Sequence, residues 1–133
     1  MGLWTCPQCD REFARAGQSH VCVPGCTVDE VFAPWPESYR EIYDRLTEHL
    51  GPVHEDAVGV GVFLKSAGKF AEIRPKARSV SLLLKLHRPV THPRLGRSWP
   101  MSGGGYWHVF KLTQVEHVDD LLLEWMAEAC DGS

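Results

Sequence analysis

No apolar run in this chain approaches the roughly 20 residues that a membrane-spanning helix needs. The opening stretch MGLWTCPQCDRE lacks the basic-then-apolar layout of a secretory signal. Together these absences set the expectation of a soluble cytoplasmic protein with no membrane partner. Acids are nearly missing from the middle of the chain: between Val58 and Leu112 ten Lys/Arg stand against the single acid Glu72, a net of +9. Lysine and arginine are missing from the end, where Thr113 to Ser133 carries six acids and a net of −6. Val28 to Ala57, with eight acids and two arginines, is also −6, so the overall −3 conceals segregated charge. Segregation of this kind either raises a local positive field or lets acidic helices compensate a basic sheet. The 133 residues, 44% apolar and 10% aromatic, describe a globular chain of one ordinary domain with room for a small appendage.

Cysteine is also scarce, but four of the five crowd into residues 6–26. Cys6-Pro7-Gln8-Cys9 is followed by His20, Cys22 and Cys26. In a reducing compartment such crowding points to metal binding rather than disulfides. A CxxC pair brings two thiolates to one ion from a tight turn, and Zn²⁺ takes four N/S ligands tetrahedrally at about 2.0–2.3 Å. Cys6, Cys9, His20 and Cys22 are the favoured set, with Cys26 the alternative fourth ligand. A closed shell of four makes one structural zinc per chain, with no position open to substrate. Asp10 stands where the knuckle needs a left-handed residue, and Phe13 is the one apolar plug. A redox-active CxxC needs a preceding strand of a βαβ unit, and nothing before Cys6 provides one.

Thr27-Val28-Asp29-Glu30 has the form of a capping box opening a short helix that stops near Pro34-Trp35-Pro36. A second helix is expected from Glu37 to Leu50, with Tyr39, Ile42, Tyr43, Leu46 and Leu50 as its apolar stripe. Three strands follow, over Val58–Lys65, Phe70–Arg74 and Val80–Leu86, and a fourth over Tyr106–Leu112. A last helix is expected from a second capping box at Thr113 to about Ala129. The fold class is therefore α+β: a small N-terminal zinc finger over residues 1–26, then a domain over 27–133. That domain is an antiparallel four-stranded sheet with helices packed on one face.

Side chains alternate across strands. One face collects Val60, Val62, Leu64, Ala71, Ile73, Leu82, Leu84 and Leu86 as core. The other mixes rings with cations: Phe63, Lys65, Phe70, Arg74, Lys85, Trp107 and Lys111. The long irregular piece from His87 to Gly105 adds Arg94 and Arg97. Phosphates need Lys/Arg and unpaired bases need flat faces, so these nine residues are the candidate ligand-binding set. A metal-dependent nuclease would need clustered carboxylates. With SAGK as the reversal, Glu72 is expected opposite Phe63, seven residues from Asp56 or roughly 23 Å at about 3.3 Å per residue, and that separation argues against the site.

The stretches WTCPQCDREFARAGQSHVC, VGVFLKSAGKFAEIRPKARSVSLLLKLHRPV and YWHVFKLTQVEHVDDLLLEWMAEA resemble an uncharacterised bacterial family. Its members join a short zinc finger to an α+β domain of unknown function. The resemblance covers nearly the whole chain and implies the domain layout and the zinc ligands, but no activity. Asp10, in place of an expected glycine, and the triple glycine before Tyr106 depart from that pattern. The functional expectation is a non-enzymatic binding protein contacting nucleic acid through the basic face and the 87–105 loop. An adaptor for an anionic small molecule or protein partner is the alternative, and an enzyme of unknown reaction the second.

Overall fold

A computed structural model describes residues 2–132. Among them lie nine strands and three α-helices in the order β1 (Trp4–Thr5), β2 (Glu12–Phe13), β3 (Gly25–Cys26), α1 (Val28–Phe32), α2 (Glu37–Thr47), β4 (His54–Val58), β5 (Gly61–Lys65), β6 (Lys69–Lys76), β7 (Ser79–Leu86), β8 (Leu95–Pro100), β9 (Tyr106–Leu112) and α3 (Asp120–Asp131). β1 and β2 form a hairpin of their own. The other seven make one antiparallel sheet in the order β3-β4-β5-β6-β7-β9-β8.

Seven strands replace the expected four, and each addition has a physical reason. The run from Val58 to Lys65 is not one strand: Val58 pairs with Gly61, so the chain reverses at Gly59-Val60 and β4 lies beside β5. The alternating VGVGV imitates a strand and hides the turn. Gly61 is required there, because a Cβ would come within 2.6 Å of the Ile73 carbonyl oxygen. Val60, assigned to the core by alternation, is 58% exposed in the turn. The second addition, β8, lies inside the segment read as irregular. Its LGRSWP sequence has one inward apolar residue, Leu95, and so shows no alternation. The triple glycine is the β8–β9 turn, with Gly103, Gly104 and Gly105 all at φ near +90°, where a side chain would be strained. β3, two residues leaving the finger, adds the opposite edge.

The core follows the alternation elsewhere. Val62, Leu64, Ala71, Ile73, Leu82, Leu84 and Leu86 are buried. α1 carries the capping box, with Thr27 and Glu30 satisfying each other's backbone N–H groups. α2 buries Tyr39, Ile42, Tyr43 and Leu46. The last helix starts later than its sequence signal. No helix grows from Thr113; the His117 ring accepts the Thr113 N–H at 3.0 Å across a short 3₁₀ turn. Asp119 then caps α3 through the Leu122 N–H at 2.9 Å. All three helices lie on the core face of the sheet, and the finger packs on the other.

Candidate metal centre and basic sheet face

The β1–β2 hairpin encloses the Cys6–Cys9 knuckle. The Cys6 N–H donates to the Arg11 carbonyl at 2.9 Å and the Asp10 N–H to the Cys6 carbonyl at 2.8 Å. Asp10 takes φ +59° to close that turn, the left-handed position that its side chain tolerates better than most. The His20 ring stacks on buried Phe13 with centroids 3.8 Å apart, and its Nδ1 lies 2.6 Å from the Gln18 carbonyl. A donated Nδ1–H leaves Nε2 as the free lone pair, the arrangement in which a backbone carbonyl orients a metal-binding histidine.

The donor atoms of Cys6, Cys9, His20 and Cys22 all lie within 4.8 Å of one another. Cys6 and Cys22 sulfurs are 3.8 Å apart, and His20 Nε2 is 3.5 Å from Cys9 and 3.2 Å from Cys22. A tetrahedron of bonds near 2.0–2.3 Å has edges of about 3.5–3.8 Å, so the four side chains fit one ion such as zinc. Cys26 stands apart, paired in the sheet with Ala57. Burial pushes both Cys6 and Cys22 up, but backbone hydrogen bonds at Gln8 and Cys9 bring Cys6 down to about 6. Cys22, facing Cys6 and Cys9, rises to about 11. A cation removes that conflict between crowded thiolates.

Beside the knuckle, Arg11 reaches into the sheet. Its Nε and Nη2 donate to both Asp56 carboxylate oxygens at 3.1–3.2 Å, and Nη1 donates to the Val21 carbonyl. Lys65 Nζ donates to the same carboxylate at 2.8 Å and to the Glu12 carbonyl, with its charge 4.0 Å from the Phe13 ring. All three charged side chains are at least nine-tenths buried. Burial alone would raise the Asp56 carboxyl; hydrogen bonds from Arg11 and Lys65 overcome it and hold it below the usual range. Burial, with Arg11 and Lys69 nearby, lowers the Lys65 ammonium despite Asp56. Two cations around one anion produce both directions.

Lys65 is thus a staple between finger and sheet, not an open cation. Phe70 also leaves the expected set. A bulge after Leu64 pairs Lys65 with Lys69 instead of Phe70, turning Phe70 into the core with no exposure. The same bulge moves Lys69 onto the mixed face, where it lies 5.2 Å from the Phe63 ring and 5.4 Å from Trp107. Phe63 is half-buried, ringed by Arg11, Lys69 and Arg74. Arg74, Lys85 and Trp107 are half-exposed, and Lys111, Arg94 and Arg97 are exposed. Cross-strand pairing sets Lys85 beside Trp107 and Trp107 beside Trp99. Arg97 stacks over Trp99 at 5.2 Å, while Arg94 sits off the face, next to Lys111 at the β8 edge. Trp99 and Lys69 are the residues that strand reading missed. Their signal lay in β8 and in the bulge.

Residues 28–132 match the family described as Domain of unknown function (DUF5655). The chain belongs to that family. The match begins just after the finger, so Cys6, Cys9, His20 and Cys22, the residues that could hold a metal, lie outside the matched DUF5655 region. No curated protein and no solved structure matches the chain.

Within the DUF5655 domain the carboxylate geometry also needs correction. The β4–β5 turn places Asp56 opposite Phe63, and Phe63 opposite Glu72. The two acids therefore share a face two strands apart, about 10 Å at ~4.8 Å per strand, not 23 Å. Each is already neutralised: Asp56 by Arg11 and Lys65, Glu72 by Lys69 and by Arg74 at 2.8 Å. Neither offers a free oxygen pair to Mg²⁺. The histidines of the domain are similarly engaged. Fully buried His108 bridges Ser98 Oγ at 2.6 Å and the Arg88 carbonyl at 3.0 Å. His92 holds Asp119 at 2.9 Å. Among the described residues no helix is long and apolar enough to cross a membrane.

Proposed function

We propose that this DUF5655 chain is a non-enzymatic binding protein, held together at its N-terminus by one structural zinc, that grips single-stranded nucleic acid on the open half of its sheet. The observation that carries the reading is the row Lys85–Trp107–Trp99 across β7, β9 and β8. Two tryptophans stand side by side on neighbouring strands, Lys69 and Arg97 lie against their rings, and Lys111 is exposed on the same face farther along β9. Of the acids Asp56 and Glu72 on that face, Asp56 lies under the finger and Glu72 is occupied by Lys69 and Arg74. Stacking on aromatic rings is tolerant of sequence because every base has a π-face, and adjacent cations follow the backbone. A cleft of about 180 Å³ among Arg74, Lys76 and Arg97, whose carboxylate Glu72 is already paired, offers a seat for a backbone phosphate. A duplex, whose bases are already stacked inside, has no ring to give the tryptophans and should bind more weakly.

Titration of a single-stranded oligonucleotide at several salt concentrations, followed by tryptophan fluorescence, tests the reading. Affinity should fall steeply as salt rises, with a slope of about −0.7 per phosphate contacted. Undetectable binding even at low salt removes the nucleic-acid reading. Native mass spectrometry tests the metal, where one zinc per chain is expected.

A further inference from the structure

Finger and sheet meet along a groove of about 430 Å³, within the size range of small-ligand sites. One wall is Phe13, Val21 and Val23 of the finger; the other is Val58, Val60 and Phe63 of the β4–β5 hairpin. Val21 is 76% and Val60 58% exposed, so both walls show apolar surface to water. Four cations and no carboxylate line the groove. Arg11 and Lys65 share buried Asp56, and Lys69 and Arg74 share Glu72, so each carboxylate faces two cations and the groove keeps a net positive charge; Lys69 and Arg74 belong equally to the open face. Apolar walls with cations at one end are complementary to a flat uncharged ring that carries a phosphate. Past Val23 the adjoining cleft adds the acids Asp10 and Glu55 beyond the Arg11–Asp56 pair. A polyanion reaching the groove from the sheet meets repulsion if it continues.

We infer that this groove takes the terminal nucleotide of a single strand whose interior lies on the open sheet face. The base sits between Val21 and Val60, and the last phosphate lies at Lys69 and Arg74. The inference rests on the nucleic-acid reading and adds an end preference to it. The finger supplies one wall, so the end site exists only when the finger is folded on its metal.

Binding of a linear and a covalently circular single strand of the same length, about 20 thymidines, separates the two ideas. With the metal-loaded chain the linear strand should bind about tenfold more tightly, the usual worth of covering one base. Val60→Asp, at an exposed turn position, should abolish the linear advantage and leave circular binding unchanged. Chelation of the metal should abolish the same advantage. Equal affinity for the two strands overturns the end site and leaves the sheet reading standing. A Val60→Asp variant that weakens both strands alike also overturns it. Failure of both strands to bind sinks the inference together with the reading beneath it.

Discussion

The helix-free face of the sheet has two ends that look alike in sequence and differ in chemistry. Over β4 and β5 the cations are spent: Arg11 and Lys65 close on buried Asp56, and the finger lies on top. Over β7, β9 and β8 they are not: Lys85 and Arg97 stand beside Trp107 and Trp99, with Lys111 farther along β9, and no carboxylate pairs with them among the described residues. A lysine on a strand is therefore not yet a ligand contact. What decides is whether a carboxylate lies within reach, and here the finger's arrival beside Asp56 makes that decision.

The largest effect expected from disturbing this contrast comes from the metal. In so small a finger the energy of metal binding is the energy of folding, on the order of 10–16 kcal/mol for such zinc peptides. Cys22→Ser should lose the ion in native mass spectrometry and lose amide protection from Trp4 to Phe13. Cys26→Ser should keep both. The domain should stay folded in either variant, because its core, from Ile42 through Leu82 to Met126, contains no finger residue. Unfolding of the whole chain on chelation would break the contrast, making the finger part of the core instead of a cover.

Next in size is Asp56→Asn, which leaves Arg11 and Lys65 buried without an anion. Breaking a buried charge pair costs about 3–5 kcal/mol, to be read as a lowered denaturation midpoint. Arg97→Ala, at the open end, should stay within about 0.5 kcal/mol of the parent. Acid probes the same carboxylate. Its folded pKa lies below the usual carboxylate value, so the stability it contributes is complete above that value and is lost as pH falls through the depressed one. In the metal-loaded chain, where Arg11 is in place, the acid limb of a stability profile should therefore carry a contribution below about pH 4. It should flatten in Asp56→Asn.

Between these and the smallest effects stands Trp107→Ala. Removing one stacking ring should weaken single-strand binding by about 1–3 kcal/mol, seen in a titration at fixed salt. Its side chain is only half-buried, whereas Phe70→Ala, in the core, should cost about 3–5 kcal/mol of stability. An equal loss of binding with no loss of stability from Phe70→Ala would contradict the bulge.

Much of this molecule was legible from spacing alone. The clustering of Cys6, Cys9, His20 and Cys22, the left-handed Asp10, the α1 capping box and the inward series from Val62 to Leu86 each rest on local chemistry that leaves a regular trace. What escaped was set by contacts between distant segments. VGVGV alternates like a strand, and only the approach of Gly61 to Ile73 shows that a turn interrupts it. β8 exists because β9 offers it an edge, and LGRSWP has too few inward apolar residues to announce that. The bulge that exchanges Phe70 for Lys69 depends on one unpaired residue, beyond the reach of strict period-two reading. Lys65 carries no mark distinguishing it from Lys85 until Asp56 is brought opposite Phe63.

The finest separation between the two ends is expected from single lysines. Lys111 is exposed on β9, opposite Ser81, with no carboxylate partner among the described residues. Lys111→Ala should leave the denaturation midpoint alone and reduce the salt slope of single-strand binding by about 0.7, the share of one phosphate. Lys65→Ala should behave in the opposite way. It leaves Asp56 with Arg11 alone and uncovers the Glu12 carbonyl, so stability falls while the slope does not move, because the Lys65 charge is buried and held by Asp56. Were both substitutions to change the slope alike, the buried lysine would have to be reaching a phosphate, and the division of this face into a stapled end and a gripping end would collapse.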